Sequence, residues 1–184
     1  MNATDSIQKH TIIALVEDRP GVLNRIASKW RQRGFNIESL AVGHSETPGL
    51  LRMTFVVDAS TDAEQVVKQV DKLIEVVNIR DVSAESLISR EMAMVKVRAD
   101  KSNRSQIIEL VDIFGAEMVD VGPDSVIVEI TGDEEKIESF IALLVDFEVI
   151  ELVRTGKVAM LRGAVVSHPH EHEQPERYEG QELW

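Results

Sequence analysis

The chain repeats one order of apolar segments twice, and this repeat limits the fold more than any other feature of the sequence. A β-branched run over 10–16 precedes a segment with helical spacing, two segments that alternate, a second helical segment and a final β-branched run. The same order returns after residue 84. Periods of about 3.6 and 2 distinguish helices from strands. We therefore predict an α+β protein of two tandem ferredoxin-like βαββαβ domains, each one sheet with helices on one face.

The first half gives the clearer pattern. Its predicted elements are a strand over 10–16, a helix marked by Val22, Leu23, Ile26, Ala27 and Trp30, strands over 36–43 and 50–57, a helix marked by Val66, Val67, Val70, Leu73, Ile74 and Val77, and a strand over 78–84. Gly34 is expected to end the first helix, and the Thr-Pro-Gly turn at 47–49 to join the two middle strands.

The second half repeats the pattern from residue 91. Its predicted elements are a strand over 91–98, a helix marked by Ile107, Ile108, Leu110, Val111 and Phe114 and ended by Gly115, a hairpin of strands 116–121 and 125–131, a helix marked by Ile137, Phe140, Ile141 and Leu144, and a strand over 147–154. Met53, Met92, Met94, Met118 and Met160 fall on strand positions and are expected to fill cores. The predicted limits are a flexible N-terminus over 1–9, domains over 10–84 and 85–163, and a disordered acidic, His-rich tail over 164–184.

Composition narrows the class of protein further. The 184 residues carry a formal net charge of −12, concentrated in the second half and the tail, with 4% aromatic residues. This balance argues against binding to nucleic acid. With no cysteine, no apolar run of membrane-spanning length and a polar N-terminus, we expect a cytoplasmic protein without disulfides or membrane spans. Small open sheets leave edges that are usually paired, so we also expect a dimer or a higher assembly.

The sequence contains no catalytic constellation, and we predict neither catalytic residues nor a metal site. His10 and His44 are single histidines at strand ends, where surface or capping roles are expected. The acidic run at 133–135 opens a helix, where carboxylates stabilise the positive end of the dipole. Three tail histidines are expected to lie in solvated chain without the fixed geometry of a metal site: His168, His170 and His172.

One turn has the chemistry of a binding site for an amino acid. The segment from Asp18 to Gly21 opens the first helix, whose N-terminal N–H groups suit a carboxylate, and Gly21 permits close approach. Asp18 and the amide of Asn36 could accept hydrogen bonds from an ammonium. A small apolar side chain of the ligand could rest on Val22, Leu23 or Ile37. Asp-x-Pro-Gly is equally a good helix start, so both interpretations remain open.

These residues resemble the small, regulatory subunit of acetolactate synthase, also called acetohydroxyacid synthase, which begins with an ACT domain. Residues 16–27 are similar to the opening of an ACT domain. Residues 34–40, Gly-Phe-Asn-Ile-Glu-Ser-Leu, are the more specific match, followed by Arg-Met-Thr at 52–54. Segments 89–97 and 154–159 resemble the start and the C-terminal strand of the family's second domain. The likeness runs from about residue 10 to 163.

The resemblance implies a regulatory chain without catalysis or cofactors of its own. Such subunits bind a larger catalytic subunit, which carries thiamine diphosphate, magnesium and flavin and condenses pyruvate with pyruvate or 2-oxobutyrate. They raise its activity and make it sensitive to valine, leucine or isoleucine. In the family the effector lies between the ACT domains of two protomers in a homodimer. The corresponding residues here are Asp18, Arg19, Pro20, Gly21, Val22, Leu23, Asn36 and Ile37. Some members carry Asn where this chain has Asp18, whose charge would lie near the ammonium.

The nearest alternative is a free-standing sensor with tandem ACT domains, similar to the regulators of glycine cleavage, that binds an amino acid and acts on another partner. The run over 33–42 and the Arg-Thr-Gly segment at 154–156 favour the acetolactate synthase family. A small enzyme would need a convergent acid–base pair, which the sequence lacks.

Overall fold

The first half forms a four-stranded antiparallel sheet in the order β2-β3-β1-β4. The computed structural model describes residues 9–32, 34–58 and 63–163. The elements of the first half are β1 (Lys9–Glu17), α1 (Val22–Gln32), β2 (Ile37–His44), β3 (Leu50–Asp58), α2 (Ala63–Val70) and β4 (Val76–Asp81). Their order is the predicted strand, helix, strand, strand, helix, strand.

The second half has the same order of elements and the corresponding sheet order, β6-β7-β5-β8. Its elements are β5 (Leu87–Arg98), α3 (Arg104–Phe114), β6 (Glu117–Val121), β7 (Ser125–Gly132), α4 (Glu134–Leu144), a 3-10 turn (Val145–Phe147), β8 (Val149–Arg154) and β9 (Val158–Leu161). The predicted α+β tandem of ferredoxin-like units is therefore confirmed.

Each half has its own apolar core between its sheet and its helices. In β1 the alternate residues Ile12, Ala14 and Val16 are fully buried against the helix layer, as a strand with period 2 requires. Trp30 of α1 packs on Phe55 of β3 with ring centroids 4.2 Å apart. The second core is built in the same way around Phe140, and its members include Val95, Val97, Ile107, Val128 and Ile137.

The other face of the first sheet is covered by the second half. Ile13 is 2% exposed and packs with Val82 and Ala159. Ala159 lies on β9, which pairs with the first part of β5 from Leu87 onwards. The strand β9 has no counterpart among the described residues of the first half, and β5 begins four residues before the predicted strand over 91–98. This extension of β5 and β9 buries the second face of the first sheet and packs the two halves together.

The predicted second helix of the first half is too long. It was expected to continue through Leu73, Ile74 and Val77, but α2 ends at Val70 and a turn leads into β4 at Val76. Ile74 is 88% exposed in that turn. The apolar residues of this turn happen to continue the helical spacing of α2. The prediction was wrong because periodicity alone does not distinguish a short helix followed by a turn from a longer helix.

Other expectations had mixed outcomes. Gly34 and Gly115 follow α1 and α3 with positive φ angles, as predicted for residues that end helices. Met53 is fully buried, whereas Met160 is 67% exposed rather than part of a core.

The domain limits over 10–84 and 85–163 stay predictions. In the structure β1 begins at Lys9 and β9 ends at Leu161. The N-terminus before Lys9 and the tail over 164–184, with its three histidines, lie outside the described residues. Among the described residues no helix has the length and apolar character needed to span a membrane.

Candidate functional site

The turn from Asp18 to Gly21 is held at the end of β1 by backbone hydrogen bonds. The N–H of Asp18 donates to the carbonyl of Gly49 at 2.9 Å, which ties the turn to the start of β3. The N–H of Val22 donates to the carbonyl of Arg19 at 3.3 Å. The turn is thus fixed to the sheet while its outer residues, including Asp18 and Pro20, are exposed.

Gly21 gives this turn its open surface. Its φ of +85° lies in the left-handed region, which glycine adopts without strain. A Cβ placed on Gly21 would have no atom within 4 Å, so there is open space above the backbone. The first turn of α1 contains no acidic residue, and the positive end of the helix is therefore not neutralised from within the helix. The arrangement can accept a carboxylate.

The two arginines near the turn are already paired. Arg19 Nε lies 2.9 Å from Glu17 Oε2, and Arg25 Nη2 lies 2.8 Å from Oε1 of Glu75, whose side chain is largely buried. Within the described part of the chain the carboxylate of Asp18 makes no ion pair. It remains available to an ammonium.

The apolar residues predicted for the site have different surroundings. Val22 is 4% exposed and belongs to the core, so its side chain is not on the surface. Leu23 is 39% exposed beside it. Ile37 packs partly against the core from β2. Leu23 is therefore the predicted apolar residue of the turn that could contact a ligand.

Asn36 lies at the other end of the sheet. The N–H of Asp58 donates to its carbonyl at 3.4 Å, and Asp58 pairs with Lys9 at the start of β1, whereas the turn follows Glu17 at the end of β1. Eight residues of strand separate the two places by about 25 Å. One chain therefore does not bring Asn36 and the turn together. In the described part of the chain the Asn36 amide makes no hydrogen bond.

A cluster of ion pairs around Glu134, one of which joins the two halves, was not anticipated from the sequence. Glu134 Oε1 lies 2.8 Å from Lys9 Nζ, and Glu134 Oε2 lies 3.1 Å from Lys157 Nζ. The hydrogen bond from Lys9, supported by Lys157, outweighs partial burial and lowers the pKa of Glu134 to about 2. The adjacent Asp133 caps α4 by accepting a hydrogen bond from the N–H of Lys136. No local signal distinguishes Glu134 from Glu135, because the partners of Glu134 come from distant parts of the chain.

The two internal histidines take different places. His10 Nδ1 lies 2.5 Å from Asp81 Oδ2, across the pairing of β1 with β4. Partial burial disfavours the ionised carboxylate, but hydrogen bonds from Ser83 and from His10 outweigh it and lower the pKa of Asp81. His44 is exposed at the end of β2. Across the described ranges no group of three or more histidine or acidic side chains is placed to hold a metal ion.

Two protein-family models match the chain, one in each half. The model described as the AHAS small subunit-like ACT domain matches residues 12–78. The model described as the small subunit of acetolactate synthase matches residues 90–163. Together they span both sheets.

Relatives over nearly the whole chain carry the same name. A probable acetolactate synthase small subunit from Archaeoglobus fulgidus is 51% identical over 156 residues, which are 84% of this chain and 98% of the relative. The acetolactate synthase small subunit of Mycobacterium bovis is 47% identical over 159 residues, 86% of this chain and 95% of the relative.

A solved structure agrees with the sequence matches. The crystal structure of the acetolactate synthase small subunit from Thermotoga maritima superposes with a TM-score of 0.80 at 43% sequence identity, covering 86% of this chain and all of that chain. Taken with the ACT-type first half and the repeated second half, these matches show that the chain belongs to the family of acetolactate synthase small subunits, the regulatory partners of the catalytic subunit.

Proposed function

We propose that this chain binds and activates the catalytic subunit of acetolactate synthase and makes it sensitive to valine or a related branched-chain amino acid. Family membership supports the catalytic subunit as the partner. In this proposal thiamine diphosphate, magnesium and flavin belong to that partner, and this chain contributes regulation alone. The alternative interpretation was a free-standing sensor with tandem ACT domains. The matches identify the acetolactate synthase small subunits instead.

The observation that carries the effector site is the open backbone at Gly21. The α-carboxylate of valine would accept hydrogen bonds from the N-terminal N–H groups of α1, where Gly21 leaves space. The exposed carboxylate of Asp18 would meet the ammonium. Leu23 offers an exposed apolar surface to the isopropyl group. This set of a carboxylate, donors and an apolar residue matches the three parts of a branched-chain amino acid.

We propose that Asn36 reaches this ligand from a second protomer. The strand β2 is an edge of the first sheet, with Val42 45% exposed on it. Antiparallel pairing of β2 with its copy around a two-fold axis would set Ile37 opposite the partner subunit's His44. His44 lies at the end of the sheet that carries the Asp18–Gly21 turn. Asn36 would then lie about 14 Å, or three strand spacings, from the end of the partner's β1, where the turn begins.

In this proposal, regulation follows from a difference in the affinity of the ligand for two arrangements of the dimer. A ligand held by residues of two protomers binds best to the dimer arrangement that fits it, and so it favours that arrangement. If the favoured arrangement activates the catalytic subunit less well, valine inhibits the complex.

Reconstitution with the catalytic subunit tests the proposal. Acetolactate formation should rise when the chain is added and fall when valine, leucine or isoleucine is added. Thermal unfolding of the isolated chain should shift upwards by roughly 5–10 °C at a ligand concentration near 100 times the Kd. Absence of activation and of any shift would contradict the proposed function.

Gly21→Asp tests the pocket. It should abolish inhibition while leaving activation, because it places a carboxylate where the carboxylate of the ligand binds. Gly115→Asp is the matched control, since Gly115 also has a positive φ and open space but ends a helix of the second half. If the Gly21 variant stayed sensitive to valine, the assigned pocket would be wrong.

Asn36→Ala tests the contribution of the second protomer. We expect it to weaken the response to valine more than the association with the catalytic subunit, because its amide is assigned to the ligand. Lost association with an intact response would reverse the assignment of this residue.

A further inference from the structure

Polar contacts at the boundary between the two halves lie on and beside β2, the strand that starts next to Asn36. The N–H of Lys157 donates to Ser39 Oγ on β2 at 2.8 Å. Lys9, at the start of β1, lies 3.0 Å from Glu38 of β2 and 2.8 Å from Glu134 of α4. These groups surround a cleft of about 370 Å³ between the halves. The residues of β2 that make these contacts, Glu38 and Ser39, therefore follow Asn36 and Ile37 directly in the sequence.

The loop that follows β8 fits closely against β2. Gly156 has a φ of +83°, and a Cβ at this position would lie 2.9 Å from both the Leu40 carbonyl oxygen and Ser39 Oγ. The backbone of this loop, Arg154–Lys157, thus approaches β2 as closely as only glycine allows. A displacement of β2 would either break the hydrogen bond to Ser39 or move the loop.

The loop is in turn fixed to the core sheet of the second half. Arg154 binds Glu91 of β5 through two hydrogen bonds, 2.5 Å and 2.8 Å long, and Glu91 is 8% exposed. The N–H of Thr155 donates to the carbonyl of Met92 at 3.1 Å. A movement of the loop is therefore passed to β5.

The backbone of β2 is irregular where the effector would act on it. The pairing of β2 with β3 shifts register between Ile37 and Ser39, so Glu38 lies at a bulge. A bulge leaves a residue outside the ladder and bends the strand, and bulges often lie beside functional sites. The segment between Asn36 and Ser39 is thus less restrained by the ladder than the rest of β2.

We infer that Ser39 and the Arg154–Lys157 loop couple the effector site to the second half of the chain. A ligand that holds Asn36 shifts β2 at the bulge, and the hydrogen bond between Ser39 and Lys157 passes this shift to the loop and to β5. Ser39 is a positioning residue, which does not contact the ligand. This inference rests on the proposed binding of a branched-chain amino acid at Asn36.

Ser39→Ala separates binding from inhibition. The isolated variant should bind valine with a Kd within about twofold of the wild type, measured by calorimetry. In the reconstituted enzyme, saturating valine should remove less than half of the activity that it removes with the wild-type chain. Ser39→Thr keeps the hydroxyl and should restore most of the inhibition. Ser139→Ala, which changes an exposed serine of α4, is the matched control and should behave like the wild type.

The outcomes distinguish this inference from the proposed function. If the wild-type chain neither binds nor confers inhibition by valine, leucine or isoleucine, the proposed function fails and the coupling fails with it. If the wild type is inhibited and Ser39→Ala is inhibited to the same depth, the coupling alone is wrong. A parallel loss of binding and inhibition in Ser39→Ala, with no recovery in Ser39→Thr, would also overturn the coupling, because Ser39 would then act in building the site.

Discussion

Replacing Glu134 with Gln should destabilise the chain by weakening the link between its two halves. The carboxylate of Glu134 lies between the ammonium groups of Lys9 and Lys157, with 38% of its side chain exposed. The difference between the ordinary pKa of 4.5 and the value of about 2 in the folded chain corresponds to about 3.4 kcal/mol before solvent screening. Since more than a third of the side chain is exposed, we expect about 1–2 kcal/mol.

The effect should depend on pH in a defined direction. Folding lowers the pKa of Glu134, so its contribution to stability is present above pH 4.5 and is lost as the pH falls through about 2. The difference in free energy of unfolding between the wild type and Glu134→Gln should therefore stay constant from pH 7 to about 5 and shrink below pH 4.5. Urea unfolding followed by circular dichroism measures this difference at each pH.

Glu135→Gln is the matched control for this experiment. Glu135 occupies the same first turn of α4, is exposed, and makes no ion pair among the described residues. Its replacement removes the interaction with the helix dipole alone, which amounts to about 0.3–1 kcal/mol. Equal losses in the two variants, or a difference for Glu134→Gln that stays constant down to pH 3, would refute the role of Glu134 as a bridge between the halves.

Three further substitutions test the packing. Arg154→Met leaves Glu91 buried without its partner and should cost about 2–3 kcal/mol in urea unfolding, and a loss below 1 kcal/mol would contradict this. Trp30→Phe removes a buried indole N–H that has no hydrogen-bond partner among the described residues, so it should cost less than about 1.5 kcal/mol, against about 3–5 kcal/mol for Trp30→Ala; equal losses in the two variants would contradict this. Gly156→Ala places a Cβ at a positive φ and 2.9 Å from Ser39 Oγ, so it should lower the melting temperature more than Gly34→Ala, where φ is also positive but no atom lies within 4 Å. The reverse order of the two melting temperatures would contradict this expectation.

The candidate site was predictable as a set of residues but not as an arrangement. The Asp-x-Pro-Gly turn, its position before α1 and the start of β2 at Ile37 all follow from local patterns. The separation of Asn36 from that turn follows from the pairing of β2 and β1 with β3, which no single segment encodes. A local pattern contains no information on which ends of two strands meet, and so the proposal that a second protomer completes the site rests on the register.

The long helix predicted through Val77 fails for a related reason. Apolar residues at helical spacing continue past Val70, but the chain turns there and Val76 enters β4. Glu75 is buried in that turn and is paired with Arg25, and its carbonyl accepts a hydrogen bond from the N–H of Glu17. These contacts join distant parts of the chain, and tertiary contacts of this kind override local propensity.

Local periodicity was therefore sufficient for the repeated order of strands and helices, local glycine positions for the ends of α1 and α3, and short motifs for the resemblance to the family, because each depends on residues close in the chain. Tertiary structure decided the features that depend on distant partners. The pairing of β9 with β5 covers Ile13 and joins the halves. The place of Glu134 between Lys9 and Lys157 makes one of two adjacent glutamates a bridge, because ion pairs depend on distance in space and not on spacing in the sequence.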